Sequence, residues 1–587
     1  MFLRPRTRPL RALAAALGLA SVLTLPAAAA PFTYVVNAND YSLSVVDRGQ
    51  VLSKLVPLSG APNGVAVNPA GTRVYVTLFS GHVAVIDTAT HAVTATLAVG
   101  DSPWGVAVHP DGGSVYAAAH DRLNVIDART LALRQVSFSG WPVSMAINPA
   151  GTRLYVGLDN GSVLEFDLTA DPPLLRRTLA SGRYPYAMTI SPDGARLYLA
   201  TFGPVALVDL GSGTTRDVGG CGSASVALDG TGTRLFTVGT CAKTLSVLDT
   251  TQYAHPSVGS ADLSALPGAP IGVVTTRTTN QIHVADATRL GLVTLSGGSY
   301  GLRSLTTIGN GSWYRGMATG PNPVGDWSGD GAPDLLWRDY GALGINFFWK
   351  LWGNGVLGSQ QLQFSLGDPA WRIEGTGDFN QDGWPDILWR HALYGTNVLW
   401  YMKGASYLGG LTLRAEPDTA WRVGGVTDFD GDGRPDILWR HAQSGANRVW
   451  RVDVGRGGYV GELGLSSVSD TGWEFAGAGD FDRDGRADVL WRNPGTGVNG
   501  IWALQAPASG QLIPRAWMPL DSQGDASWRL QAVADFNGDG NLDVAWRRSS
   551  GENTLWYLSP NGTSLLRIGT ATLPGLADAN KQIVGPR

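Results

Sequence analysis

Residues 428–440 read Asp-Phe-Asp-Gly-Asp-Gly-Arg-Pro-Asp-Ile-Leu-Trp-Arg: carboxylates at positions 1, 3, 5 and 9 of a tight loop, then at once an apolar strand. Calcium takes six to eight oxygens at about 2.3–2.6 Å in a flexible shell, and this spacing lets four side chains and one backbone carbonyl converge on one such ion. The ligands would be Asp428, Asp430, Asp432 and Asp436, with Arg434 lending its carbonyl and Gly433 allowing the positive φ that folds the loop back.

The frame recurs on both sides at spacings of 52, 50, 52 and 55 residues. Its other copies are Asp326, Ser328, Asp330, Asp334; Asp378, Asn380, Asp382, Asp386; Asp480, Asp482, Asp484, Asp488; and Asp535, Asn537, Asp539, Asp543. Together the five loops crowd 17 carboxylates, which repel one another unless a cation intervenes. The expectation is about five calcium ions. The competing reading is a series of Asx-turns in which each Asp caps its own backbone amides with no metal. An EF-hand does not fit, because strands flank the loops and no Glu stands at position 12.

Each loop is followed by a strand ending in Trp-Arg, and 19 of the 21 tryptophans lie beyond residue 312. They fall in columns: Trp337, Trp389, Trp439, Trp491 and Trp546, each before an Arg; and Trp349, Trp400, Trp450, Trp502 and Trp556, each three residues after an Asn. Those asparagines are Asn346, Asn397, Asn447, Asn499 and Asn553. In a structural reading the Trp side chains fill the wedge between blades, Arg pairs with a neighbouring acidic group, and Asn holds a hairpin turn. In a functional reading Trp389, Arg390, Asn397, Trp400, Trp439, Arg440, Asn447 and Trp450 belong to a repeated shallow sugar site, strengthened by multivalency.

A second repeat of about 40 residues occupies the first half. GVAVNPAGTRVYVT (64–77), GVAVHPDGGSVYAAA (105–119), SMAINPAGTRLYVG (144–157) and AMTISPDGARLYLA (187–200) are alternating strands joined by Pro-x-Gly turns. A third strand closing on Asp follows, as in VAVIDT, LNVIDA and VLEFDL, and then a fourth. Four short antiparallel strands at this period are propeller blades. First strands start near residues 63, 104, 143, 186, 224 and 271, and WYRGMAT (313–319) is a seventh that would join the N-terminal hairpin and close the ring. In the second half KQIVG (581–585) would complete the blade that begins at Asp326; Trp313-Tyr314-Arg315 is an alternative for that ring. The chain is expected to be all-β, a seven-bladed propeller over 30–319 and one of about five blades over 320–587.

The first 29 residues order four arginines, an apolar run and small residues, which predicts a secretory signal cleaved after Ala29. Its removal shifts the formal charge from −4 to −8, and no basic run remains to favour nucleic acid or an anionic membrane surface. No later segment is apolar enough to span a membrane. Secretion, or retention in the periplasm or cell envelope, makes a disulfide between the two cysteines plausible. If the hairpin around DGTGT (229–233) pairs symmetrically about residue 231, Cys221 stands opposite Cys241.

The first-half motifs resemble the YVTN-type β-propeller repeat of bacterial secreted and surface proteins. Residues such as DFNQDGWPDILWR and DFDRDGRADVLWR resemble the FG-GAP or VCBS repeat, and that resemblance implies calcium at the loop positions named above. The combined Phe-Gly…Gly-Ala-Pro signature of the integrin repeats is absent, Gly-Ala-Pro standing without Phe-Gly at 331–333, and a Trp-Arg strand takes its place.

Catalysis has little to rest on. His391 and His441 occupy one repeat position, and no nucleophile elbow or phosphate loop occurs. The expected role is non-catalytic binding or adhesion toward an extracellular glycan or protein. The alternative is a lactonase-type hydrolase with its site in the first ring's central funnel.

Overall fold

The computed structural model describes residues 33–586, apart from 48–49, 52–54, 70, 89, 111, 181, 221, 230–231, 276–280, 297–298, 310–315, 320–323, 330–331, 342–343, 353–354, 485, 509 and 538–540. The expected signal segment, Cys221, Asp330, Asp539 and Trp313-Tyr314-Arg315 lie outside the described residues. The rest is almost wholly antiparallel sheet, with one 3-10 turn at Val454–Arg456. No described helix is long and apolar enough to cross a membrane.

Seven sheets form the first half. Six follow chain order, each running from an inner strand such as Pro62–Val67 or Pro142–Ile147 to an outer strand such as Ala92–Ala98 or Leu174–Ala180. The seventh is composite: Met317–Thr319 pairs with Thr33–Asn37 in the register Thr33↔Thr319, Tyr34↔Ala318, Val35↔Met317. The two ends of the first half thus share one blade, which removes the free edges that separate terminal blades would expose. Inner strands touch in sequence around the whole circle, Met317–Thr319 lying against both Gly272–Thr275 and Pro62–Val67. Between blades the core is aliphatic with tyrosines, for example Tyr75, Val83, Val115 and Ile126.

In the second half Lys581–Gly585 pairs with Leu335–Asp339, so the C-terminal strand completes the blade of the first acidic loop, as KQIVG predicts. The remaining blades begin at Trp371–Gly377, Trp421–Thr427, Glu474–Gly479 and Trp528–Ala534, giving five in the described chain. Two of them also join at their rims, where Gly464 and Leu465 pair in parallel with Gln511 and Leu512.

Four of the five acidic loops link the first and second strands of their blade, and the loop at Asp326 leads into Leu335–Asp339, whose inner neighbour is the C-terminal strand. The Pro-x-Gly turns of the first half occupy the same place. There Gly71 donates to the Asn68 carbonyl at 2.9 Å, and Asn68 Oδ1 accepts from the Arg73 amide at 2.8 Å. In the hairpin after Ser223, the strands next to the turn pair from Ser225↔Val238 to Leu228↔Leu235, one residue off symmetry about residue 231, and a bulge then sets Ser223 opposite Gly239, where that symmetry holds. Cys241 is disulfide-bonded.

Candidate metal centres

The position-nine aspartate is the anchor of every loop. Asp386 Oδ2 accepts from the amides of Phe379 at 3.0 Å and Asn380 at 3.2 Å, while Oδ1 accepts from Met402 on the third strand at 2.9 Å. The pattern repeats at Asp436 with Phe429 and Val452, at Asp488 with Phe481 and Leu504, and at Asp543 with Phe536 and Leu558. In the first copy Asp334 takes Ser328 and Leu351. One carboxylate therefore ties the loop's entry to the far strand of the blade. These five side chains are almost fully buried.

Positions 1, 3 and 5 turn the loop around this anchor. Asp428 accepts from the amides of Gly431 and Gly433, each at 2.8 Å, Asp430 from Asp432 at 3.1 Å, and Asp432 from Arg434 at 2.9 Å. The amide capping of the Asx-turn reading is real, yet each carboxylate retains acceptor capacity beyond it. Gly383 and Gly433 adopt φ of 90° and 82°, the left-handed geometry predicted for position six. Position four is left-handed too, at Gly329, Gln381, Gly431 and Arg483, which the sequence analysis did not foresee. A further feature it passed over is the aromatic residue at position two. Trp327, Phe379, Phe429, Phe481 and Phe536 are buried beneath their loops, and their presence in all five copies was the available signal.

Two groups of three carboxylates, Asp428, Asp430, Asp432 and Asp480, Asp482, Asp488, bring ligand oxygens within 4.8 Å of one another and could hold a metal such as calcium. Burial, followed by the charges of Asp378 and Asp382, pushes the Asp386 carboxyl up to about 8. Asp436 and Asp488 rise to about 8 for the same causes, and Asp428 to about 6. Burial away from water is the main cause and the neighbouring carboxylates add to it, so these groups favour the neutral form unless a positive counter-charge is brought in. Arg515 partly supplies one in the fourth loop, bonding Asp482 and reaching Asp484 at 3.0 Å.

The Trp, Arg and Asn columns lie at the other end of the same strands and are inside the protein. Trp389, Arg390, Asn397, Trp439, Arg440, Asn447 and Trp450 are buried, and Trp400 is half-buried. They do not form an open sugar-binding surface. Their arrangement is a scaffold. Arg390 Nη1 donates to the Gly395 carbonyl at 3.0 Å and to Asn397 Oδ1 at 3.1 Å, and Nη2 donates to the Glu416 carbonyl at 2.9 Å. The expected acidic partner of this Arg is thus replaced by backbone carbonyls, which the chain leading to the next blade lays across the guanidinium. Asn397 Nδ2 holds that chain through the Arg414 carbonyl at 2.8 Å, a turn-holding role as expected.

Each guanidinium also stacks on the Trp of the following blade: Arg338 on Trp389, Arg390 on Trp439, Arg440 on Trp491, Arg492 on Trp546, and Arg547 back on Trp337, at 4.7–5.0 Å. This cycle of cation–π contacts closes after five steps, an independent sign of a five-bladed ring. His391 and His441 are scaffold as well, bonded to Asp368 and Asp418 and packed edge-on against Trp371 and Trp421.

In the first half a cavity of about 430 Å³ is bounded by the inner strands of all seven blades. Its described lining carries no carboxylate, imidazole or amine, so the hydrolase alternative finds no metal-ligating or acid–base pair there.

The FG-GAP-like repeat family matches residues 326–389 and 428–491, the stretches containing the first four loops. The C-terminal part carries FG-GAP-like repeats. No curated protein matches the chain in sequence. Among solved structures it is similar to a functionally unknown protein from Desulfotomaculum acetoxidans DSM 771, at 17% identity and TM-score 0.42, covering 49% of this chain and 98% of that one. Kuenenia stuttgartiensis hydrazine synthase is similar at 18% identity and TM-score 0.39, over 51% of this chain and 96% of that one. The β-propeller domain of Myceliophteria thermophila Cps50 (Swd1) is similar at 15% identity and TM-score 0.37, over 42% and 86%.

Proposed function

We propose that this chain is a secreted or envelope-held double propeller whose second ring binds calcium at its five acidic loops, and that it binds an extracellular partner without chemically altering it. The observation that carries the calcium reading is the buried position-nine aspartate, repeated five times among further carboxylates and bonded to backbone amides of both its loop and the far strand of its blade. A divalent cation supplies the missing charge and joins the loop to the blade. The arginine-rich, apolar and small-residue order of residues 1–29 supports export, as does the disulfide at Cys241. The described channel lining offers no carboxylate, imidazole or amine to activate its hydroxyls, and those of Ser144 and Thr275 are given to backbone carbonyls, which supports a binding role over a hydrolytic one. Isothermal titration of chelator-treated protein with calcium tests the reading. Saturable uptake of several ions with a rise in melting temperature is expected; uptake of none overturns it.

A further inference from the structure

The first-ring cavity contains one buried polar group that nothing among the described residues satisfies. Asn63 is 7% exposed and lines the channel, and its Nδ2 is the only buried side-chain polar atom of the described lining without a hydrogen-bond partner. Three other polar side chains there are committed to neighbouring blades: Ser144 Oγ donates to the Pro185 carbonyl, Thr275 Oγ1 to the Leu228 carbonyl, and Ser225 Oγ accepts from the Val273 amide. An amide donor left unpaired in a buried site is a group awaiting an acceptor.

Its position is built rather than incidental. The ladder shifts register between Pro62 and Val65, so Asn63 and Gly64 sit in a bulge that takes them out of regular pairing. Gly64 is required there, because a Cβ would lie 2.5 Å from the Trp104 carbonyl. Thr77 pins the arrangement, its Oγ1 accepting from the Gly64 amide at 2.8 Å and donating to the Trp104 carbonyl at 3.2 Å. The same contacts thus fix the Asn63 bulge and the backbone of Trp104, an aromatic residue of the lining.

Aromatic rings extend from the lining to solvent. Phe79, 41% exposed, meets Trp104 edge-on at 5.7 Å. Tyr186, also in the lining, contacts Tyr184 at 4.2 Å and the exposed Phe202 at 4.0 Å. A cavity of ligand-binding size, uncharged over its described lining, with an unpaired amide donor and aromatic surface at its margin, suits an uncharged molecule with acceptor oxygens and C–H faces.

We propose that this cavity is a binding site for a short neutral saccharide, with Asn63 Nδ2 donating to a sugar oxygen and Trp104 and Tyr186 supplying aromatic contact. The proposal rests on the binding-protein reading above and names its site and ligand class. It places recognition in the first ring, away from the acidic loops.

The test is calorimetric titration of the full chain, with calcium and with chelator, using cellotriose, maltotriose and chitotriose, backed by an array of neutral and acidic glycans. Binding of a neutral glycan in both conditions is expected. Asn63→Leu should weaken it at least tenfold without lowering the melting temperature, since the replaced donor has no partner among the described residues. Tyr186→Leu should weaken it too and serves as the second probe if Asn63→Leu does not fold. Silence toward every neutral glycan, binding confined to acidic glycans, or affinity unchanged in the folded variants overturns the proposal. Calcium uptake is read separately, so a protein that takes up calcium yet ignores these sugars loses only the channel site.

Discussion

The connection between the first and second strands of a blade is built in two ways in this chain. In four blades of the first ring it is a Pro-x-Gly turn whose polar groups satisfy one another: Asn148 Oδ1 accepts from the Arg153 amide at 2.8 Å and Nδ2 donates to Thr152 at 3.0 Å. In the second ring it is a nine-residue loop of acids around a buried carboxylate. The wedges between blades differ in the same sense, aliphatic and tyrosine in one ring, Trp stacked with buried Arg in the other. The first kind of connection is satisfied by hydrogen bonds within the turn and by apolar burial, while the second concentrates like charges, which under the calcium reading makes stability conditional on the medium.

The largest expected effect follows directly. Removing calcium should lower the unfolding temperature of the second ring and leave that of the first unchanged, so calorimetry with excess chelator should separate two transitions that calcium brings closer. A site filled at a thousand times its dissociation constant adds about 4 kcal/mol, and several loops act together. Equal shifts of both transitions would erase the distinction between the rings.

Next in size is the buried arginine. Arg440→Ala removes donors to Gly445, Val468, Asp470 and Asn447 and the stack on Trp491. Stranding those acceptors should cost about 3–5 kcal/mol, seen as a lower denaturant midpoint for the second ring alone. A loss below about 1 kcal/mol would mean that the closed cation–π cycle contributes nothing beyond filling space.

These two predictions mark what the sequence made legible. Turn chemistry and repeat period disclose the blades, and KQIVG at 581–585 discloses the second closure, because both are local patterns. The partners of Arg390 were not legible. Besides Asn397, its acceptors are backbone carbonyls, that of Gly395 nearby and that of Glu416 26 residues onward, and any residue type supplies a carbonyl. Exposure of the Trp columns was equally hidden: an indole between blades and one on a surface can follow the same spacing. Gln381 and Arg483 adopt a left-handed backbone that glycine announces at Gly431 but their own identities do not. The Asn63 donor depends on contacts from other blades, so its lack of a partner has no sequence signature at all.

The rings should also respond to pH in opposite directions. His283 is buried and hydrogen-bonded through Nδ1 to Thr33 on the closing blade, and burial pulls its pKa down to about 4. Its unfolded value is near 6.5, so the first ring should be most stable above pH 6.5. It should lose about 1.4 kcal/mol per unit as pH falls through the window to 4. The acidic loops behave inversely. With folded values near 8 against 3.8 unfolded, the calcium-free second ring should weaken as pH rises from about 4 to 8. Calcium should abolish that second trend only. Melting curves from pH 4 to 8 with and without chelator check both slopes, and His283→Gln should flatten the first.

The smallest effect is the control that gives the comparison its edge. Asn148→Ala deletes the acceptor for Arg153 and the donor to Thr152 in a first-ring turn whose backbone bond from Gly151 to the Asn148 carbonyl remains. The loss should be about 1 kcal/mol, the ordinary worth of a side-chain hydrogen bond at a partly exposed turn, and identical with calcium or chelator. The matched change in the second ring, Asp428→Ala, removes acceptors for Gly431 and Gly433 and also a cation ligand, so its cost should exceed that of Asn148→Ala in calcium and shrink toward it in chelator. If the two variants cost the same amount under both conditions, the acidic loop is a longer turn and nothing more, and the distinction between the two closures fails at its smallest unit.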